Sequence, residues 1–196
     1  MNELQHTQED YDFYMKCLRG FPLLEGFSGT GYDSSGVRIP WGSGPHNVPA
    51  YREIVEIVRP KKIFEIGFNI GYGAGLWLNL CDCTLTSIDI SNKTETRVAA
   101  LILGDQFPDK FKFLNIDSRN IRNHDFDSFD MAFIDGDHTE DGATNDIQLC
   151  LDMGIKWLVM DDWLPNYGPG VQVSVAKFPL EIVNVWGNTA LVKVKE

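Results

Sequence analysis

The run FDMAFIDGDHTED, residues 129–141, carries an apolar segment into Asp135, Asp137, His138, Glu140 and Asp141. A second apolar run, WLVMDDW at 157–163, ends on the adjacent acids Asp161 and Asp162. Acids this crowded repel one another unless a cation or a proton relieves them. Either remedy is chemically useful, because a cation can bind substrate oxygens and a shared proton can be passed to or from a reacting group. A blander account also exists. Asp137, Glu140 and Asp141 would serve the positive end of a helix at 139–153, and Asp161–Asp162 could cap whatever follows their strand.

A third stretch, FEIGFNIGYGAG, sets Gly67, Gly71, Gly73 and Gly75 where an apolar strand gives way to a helix. Glycines there let a ligand approach the backbone at the carboxyl end of a strand, or let the turn pack tightly for its own sake. The spacing is not G-x-G-x-x-G and no Lys-Ser/Thr follows, so neither a dinucleotide pyrophosphate nor a Walker-type phosphate is expected. The next apolar run ends in Asp89, placed to accept hydrogen bonds from ribose hydroxyls or to cap a helix. Asp117, after the run KFKFLNI, carries the same capping alternative.

These residues need elements to position them. KKIFEIG, TLTSIDI, KFKFLNI, FDMAFID and IKWLVMD are near-continuous apolar strands, separated by helical stretches near 71–81, 93–107, 117–123 and 139–153. That alternation predicts a parallel sheet covered on both faces by right-handed crossovers. Thr139 is the expected N-cap of the helix at 139–153, with Ala143, Ile147 and Leu151 on its apolar face and Gly154 past its end. LEIVNVW, Gly187-Asn188 and TALVKV read as a C-terminal antiparallel hairpin. The fold class is therefore α/β, a doubly wound, mostly parallel seven-stranded sheet with an antiparallel end. GVQVSVAKF, just before the hairpin, is ambiguous between helix and strand. Residues 1–46 lack strand alternation and are expected to hold a helix near 7–18 and a loop, acting as a lid or dimer surface of the same single domain. A further helix is expected at 48–58.

Bulk properties narrow the partners. The chain has 196 residues, a formal charge of −11 and a pI near 4.7. Such a charge repels a nucleic-acid backbone or an anionic membrane, which leaves a small molecule as the expected partner. The first residues, MNELQHTQED, show no basic-then-apolar pattern and no apolar run approaches spanning length, so a cytoplasmic location is expected. Cys81 and Cys83 form a lone C-x-C, read with Cys17 and Cys150 as buried thiols.

FEIGFNIGYG, SIDIS, NIDSRNI, FDMAFIDGDH and LVMDDW, in that order and spacing, resemble the class I S-adenosylmethionine-dependent methyltransferases. Within them the likeness is to metal-dependent O-methyltransferases of the catechol and macrocin types, and it spans residues 47–195. The resemblance implies a Rossmann-like methyltransferase fold in which Glu65, Gly67 and Gly71 shape the pocket for the methionine end of S-adenosylmethionine. By the same resemblance Asp89 binds the ribose, Asp117 and Ser118 face the adenine, and Asp135 adjoins the cofactor. It makes Asp135, Asp161 and Asp162 the metal ligands, and it suggests a homodimer.

On that reading the carboxylates hold Mg²⁺ or another divalent ion whose remaining positions are open to water or substrate oxygens. The acceptor would be a hydroxyl of a sugar, polyol or aromatic diol, held in line with the activated methyl. His138 is the preferred base and Asp137 its competitor. Trp41, Trp163 and Tyr167 could wall the acceptor, and the glycines and prolines of PNYGPG suggest a closing loop. A metal-dependent hydrolase or a non-catalytic cofactor-binding module are the alternatives.

Overall fold

A computed structural model describes residues 7–17, 30–32, 38–40, 44–121, 126 and 128–195. The N-terminal part holds α1 (Gln8–Cys17) and a small antiparallel pair, β1 (Thr30–Tyr32) and β2 (Arg38–Pro40). The pair is a departure from the expected loop, and three-residue strands are too short for sequence alternation to reveal them. Next come α2 (Val48–Val58), β3 (Lys62–Ile66), α3 (Tyr72–Leu80), β4 (Thr84–Asp89) and α4 (Thr94–Gln106). The chain continues through β5 (Phe111–Asn115), β6 (Met131–Ile134), α5 (Glu140–Asp152) and β7 (Trp157–Met160). It closes with α6 (Val171–Val175), β8 (Leu180–Trp186) and β9 (Thr189–Val194).

The main sheet has seven strands in the order β5-β4-β3-β6-β7-β9-β8. β3 to β7 pair in parallel, and β9 runs antiparallel to both β7 and β8. Strand order reverses at β3, between β4 and β6, so the carboxyl ends of these strands open the crevice in which doubly wound folds bind ligands.

Alternation along each strand feeds two cores. Ile63, Phe133, Val159 and Leu191 point to the face covered by α2 and α3, where Tyr51 stacks on Trp77 at 4.1 Å between ring centroids. Phe64, Ile66, Ala132, Ile134, Leu158 and Met160 point to the face covered by α5 and α6. Both faces are dry, which is why these strands read as continuous apolar runs.

One expected element is corrected and one open assignment is resolved. Of the helix expected at 117–123, the described residues hold a single tight turn at Ser118–Asn120, capped by Asp117, which accepts from the Arg119 N–H at 2.9 Å, and extended backbone at Ile121, while residues 122 and 123 lie outside the described residues. GVQVSVAKF resolves to the short helix α6, whose Val171, Ser174 and Val175 are buried.

Candidate active site

The crevice is lined at its β3 end by Glu65, which is 1% exposed. The Ser87 hydroxyl on β4 donates to its carboxyl. Burial, and the charges of Asp135 and Asp89 beside it, push Glu65 up to about 8 against the lowering effect of the Ser87 hydrogen bond. Glu65 is therefore a neutral acid at the working pH of most cells.

The glycine turn follows. Gly67 has φ +95°, and a Cβ there would lie 1.9 Å from the Asp135 carbonyl oxygen. Gly71, at φ +79°, starts α3, and a Cβ would meet the Phe68 ring at 2.6 Å. Both glycines are thus demanded by the chain itself, whatever ligand lies above them. Asn69, at φ +49°, donates its N–H to Asp89 Oδ2 at 2.6 Å, and Ser91 donates its N–H to Oδ1 at 2.6 Å. Asp89 is in this way tied across the crevice mouth to the turn.

Ser118, expected to face an adenine, donates to Asp146 Oδ1 at 2.6 Å, and Asn145 Nδ2 donates to the Ser118 hydroxyl at 3.2 Å. Asp146 is buried, and burial raises its pKa. No sequence pattern pointed to it, since an acid four residues beyond Gly142 reads as solvated helix face. Asp117 is occupied as the turn's cap.

The densest constellation sits at the ends of β6 and β7. His138 Nε2 lies 3.3 Å from Asp135 Oδ1, and its Nδ1 lies 2.7 Å from Asp162 Oδ2. One imidazole therefore bridges two carboxylates. The hydrogen bonds to Asp135 and then to Asp162 push His138 up to about 10 despite its burial, so it is a cation at neutral pH. Burial pushes Asp135 up, against the opposing pull of His138. Burial also acts to raise Asp162, but the bond and charge of His138 outweigh it and leave this acid lowered.

Among the described residues, Asp135, His138 and Asp162 form the group that could hold a metal ion, one ligand atom from each lying within 4.8 Å of the others. Asp161 stands just outside it. Asp161 is buried and raised by that burial, and its Oδ1 accepts from the Thr189 hydroxyl at 3.2 Å.

Asp137 faces the other way. Its Oδ1 accepts from the Thr139 N–H at 3.0 Å and its Oδ2 lies 3.4 Å from Arg119. The Thr139 hydrogen bond holds it below the ordinary carboxylate range, which makes it a weak base. Thr139 itself caps α5 as expected, accepting from the Gly142 N–H at 3.1 Å.

The loop at 163–170 packs onto this cluster. Gly170 donates its N–H to the His138 carbonyl at 3.1 Å, and a Cβ on Gly170 would lie 2.0 Å from the Glu140 nitrogen. Trp163 is buried while Tyr167 is 55% exposed; Trp41 lies outside the described residues.

Comparison with known proteins fits this geometry. A family profile described as "Methyltransferase domain" matches residues 64–163, from β3 through Trp163. The chain belongs to this methyltransferase family. Solved structures carry the same class I fold along the methyltransferase. The SAH-bound methyltransferase PaMTH1 of Podospora anserina superposes with a TM-score of 0.63 at 17% identity over 100% of both chains. A proposed O-methyltransferase of Klebsiella pneumoniae gives 0.61 at 14% identity over 98% of this chain and 93% of its own. A proposed caffeoyl-CoA O-methyltransferase of Staphylococcus aureus gives 0.61 at 16% identity over 76% of this chain and 83% of its own. No curated protein sequence matches the chain significantly. No helix among the described residues is long and apolar enough to cross a membrane.

Proposed function

We propose that this methyltransferase moves the methyl of S-adenosylmethionine to a hydroxyl of a small sugar, polyol or aromatic diol, with a divalent cation held beside the cofactor. The observation that carries the reading is the convergence of Asp135, His138 and Asp162 at the switch-point crevice of a methyltransferase domain. The SAH-bound state of the Podospora neighbour supports the cofactor.

Two carboxylates from adjacent strands are a hard-oxygen donor set, suited to Mg²⁺ or Mn²⁺. Asp135 and Asp162 would hold the ion. Asp161, the third ligand that the family resemblance names, stands next to them on Thr189. The bound cation supplies Lewis acidity that lowers the pKa of the acceptor hydroxyl.

The chain's own groups do the rest. The glycine turn and Asp89 form the mouth that receives the cofactor's amino-acid and ribose portions. Neutral Glu65 adds no charge beneath a sulfonium-bearing ligand. His138 is the group placed to take the acceptor's proton once its two carboxylates are engaged elsewhere, because its high pKa comes from them. Asp137 is held at the start of α5 by Thr139 and does not compete.

Calorimetric titration of S-adenosylmethionine, with and without Mg²⁺ and with NAD and ATP as controls, tests the reading. Binding of the sulfonium compound alone among the three is the expected result. Binding of NAD in its place would overturn it.

A further inference from the structure

The turn between β8 and β9 reaches the cluster from 26 residues away in sequence. Gly187 takes φ +53° and lets the two strands meet in a two-residue turn, leaving Asn188 at the crevice. Asn188 then makes three hydrogen bonds, each to the segment that leaves β7. Its Nδ2 donates to Asp162 Oδ1 at 2.6 Å, its Oδ1 accepts from the Leu164 N–H at 2.8 Å, and its carbonyl accepts from the Trp163 N–H at 2.8 Å.

Asp162 needs such support. It sits at φ +49°, a left-handed conformation that costs a non-glycine residue on the order of 1 kcal/mol. The amide of Asn188 takes one carboxylate oxygen and leaves the other, Oδ2, turned toward His138 and Asp135. Gly168 closes over the same residue, since a Cβ there would lie 2.2 Å from the Asp162 carbonyl oxygen.

We propose that Asn188 is a positioning residue for the cation site: it fixes which oxygen of Asp162 faces the ion and ties that choice to the path of the 163–170 loop. This rests on the reading of Asp135 and Asp162 as cation ligands. Partners that orient a metal-binding carboxylate typically govern affinity by about 10- to 100-fold.

The test uses the full chain and Mn²⁺ as the probe, titrated calorimetrically into wild type and Asn188→Ala, with S-adenosylmethionine titrated separately. The expected result is Mn²⁺ binding weakened about 10- to 100-fold, while affinity for S-adenosylmethionine stays within about twofold. Equal Mn²⁺ affinity in the two proteins would overturn the inference and leave the cation site standing. A wild type that binds no Mn²⁺ would overturn the cation site itself. Asn188→Asp separates orientation from folding, because it keeps the oxygen that anchors Leu164 and sets a second carboxylate against Asp162. Its melting temperature is expected to fall below wild type in chelator, with the gap widening as Mn²⁺ is added, because an ion stabilises the folded chain in proportion to its affinity. A gap of the same size in both conditions would show that this side chain does not act at the cation site.

Discussion

The two halves of the crevice both gather acids and neutralise them by different means. At the ends of β3 and β4, Glu65 keeps its proton in a dry site and Asp89 is satisfied by the N–H groups of Asn69 and Ser91. At the ends of β6 and β7, Asp135 and Asp162 are relieved by the imidazole of His138. The first arrangement is built into the backbone and has little to exchange. The second relies on a side-chain cation, which an ion of higher charge can replace. Acids neutralised by a retained proton and by backbone N–H groups have no place to give up, whereas acids held by an imidazole do.

Removing His138 should break the second half alone. His138→Gln is expected to lower methyl transfer by about 10²- to 10⁴-fold, the usual span for a lost general base. It should also destabilise the protein by about 2 kcal/mol in chelator, less than for a fully buried pair, with recovery in Mn²⁺. Thermal melts with and without the ion check this. Loss of stability that Mn²⁺ does not restore would mean that the ion and the imidazole do not share a place.

Gly67→Ala attacks the rigid half. With a Cβ 1.9 Å from the Asp135 carbonyl oxygen and φ at +95°, a loss of about 3 kcal/mol or more is expected in urea unfolding. Because that contact joins β3 to β6, affinity for S-adenosylmethionine should fall with it.

Glu65→Gln tests the retained proton. The carboxyl rises from 4.5 in the unfolded chain to about 8 in the folded one, so between these values the folded state binds more protons. Its contribution to stability is fully present below pH 4.5 and is lost as pH climbs through about 8. Wild type should lose stability against the Gln variant across that window, at roughly 1.4 kcal/mol per pH unit at the steepest. Parallel stability curves would contradict a buried neutral acid. The smallest effect belongs to Thr139→Ala, expected to cost about 1 kcal/mol through the lost cap of α5.

The sheet is legible because the central parallel strands β3, β6 and β7 are buried on both faces and the crossover helix α5 is long enough to show its period. Thr139 could be read as a cap from its place before Glu140 and Asp141, and α2 begins and ends at the expected residues. Short pieces were not legible. The turn at Ser118–Asn120 and the five-residue α6 are set by a single cap or by tertiary packing.

At the site, Asp135, His138 and Asp162 were each visible as strand-end chemistry, and their convergence follows from β6 and β7 being neighbours. The bridging posture of His138 was not visible, since it depends on the left-handed turn at Asp162. In the sequence, Asn188 and Thr189 carry only the marks of hairpin residues. Their contacts cross 24 to 28 positions of chain, beyond the reach of local spacing.

Asp135 and Asp162 are proposed to hold one divalent cation between them, beside the cofactor. Calorimetric titration of Mn²⁺ into the protein saturated with S-adenosylmethionine tests it directly. One ion per chain is predicted, lost in Asp135→Asn and in Asp162→Asn and kept in Glu65→Gln; Mn²⁺ binding that survives both aspartate substitutions would contradict it.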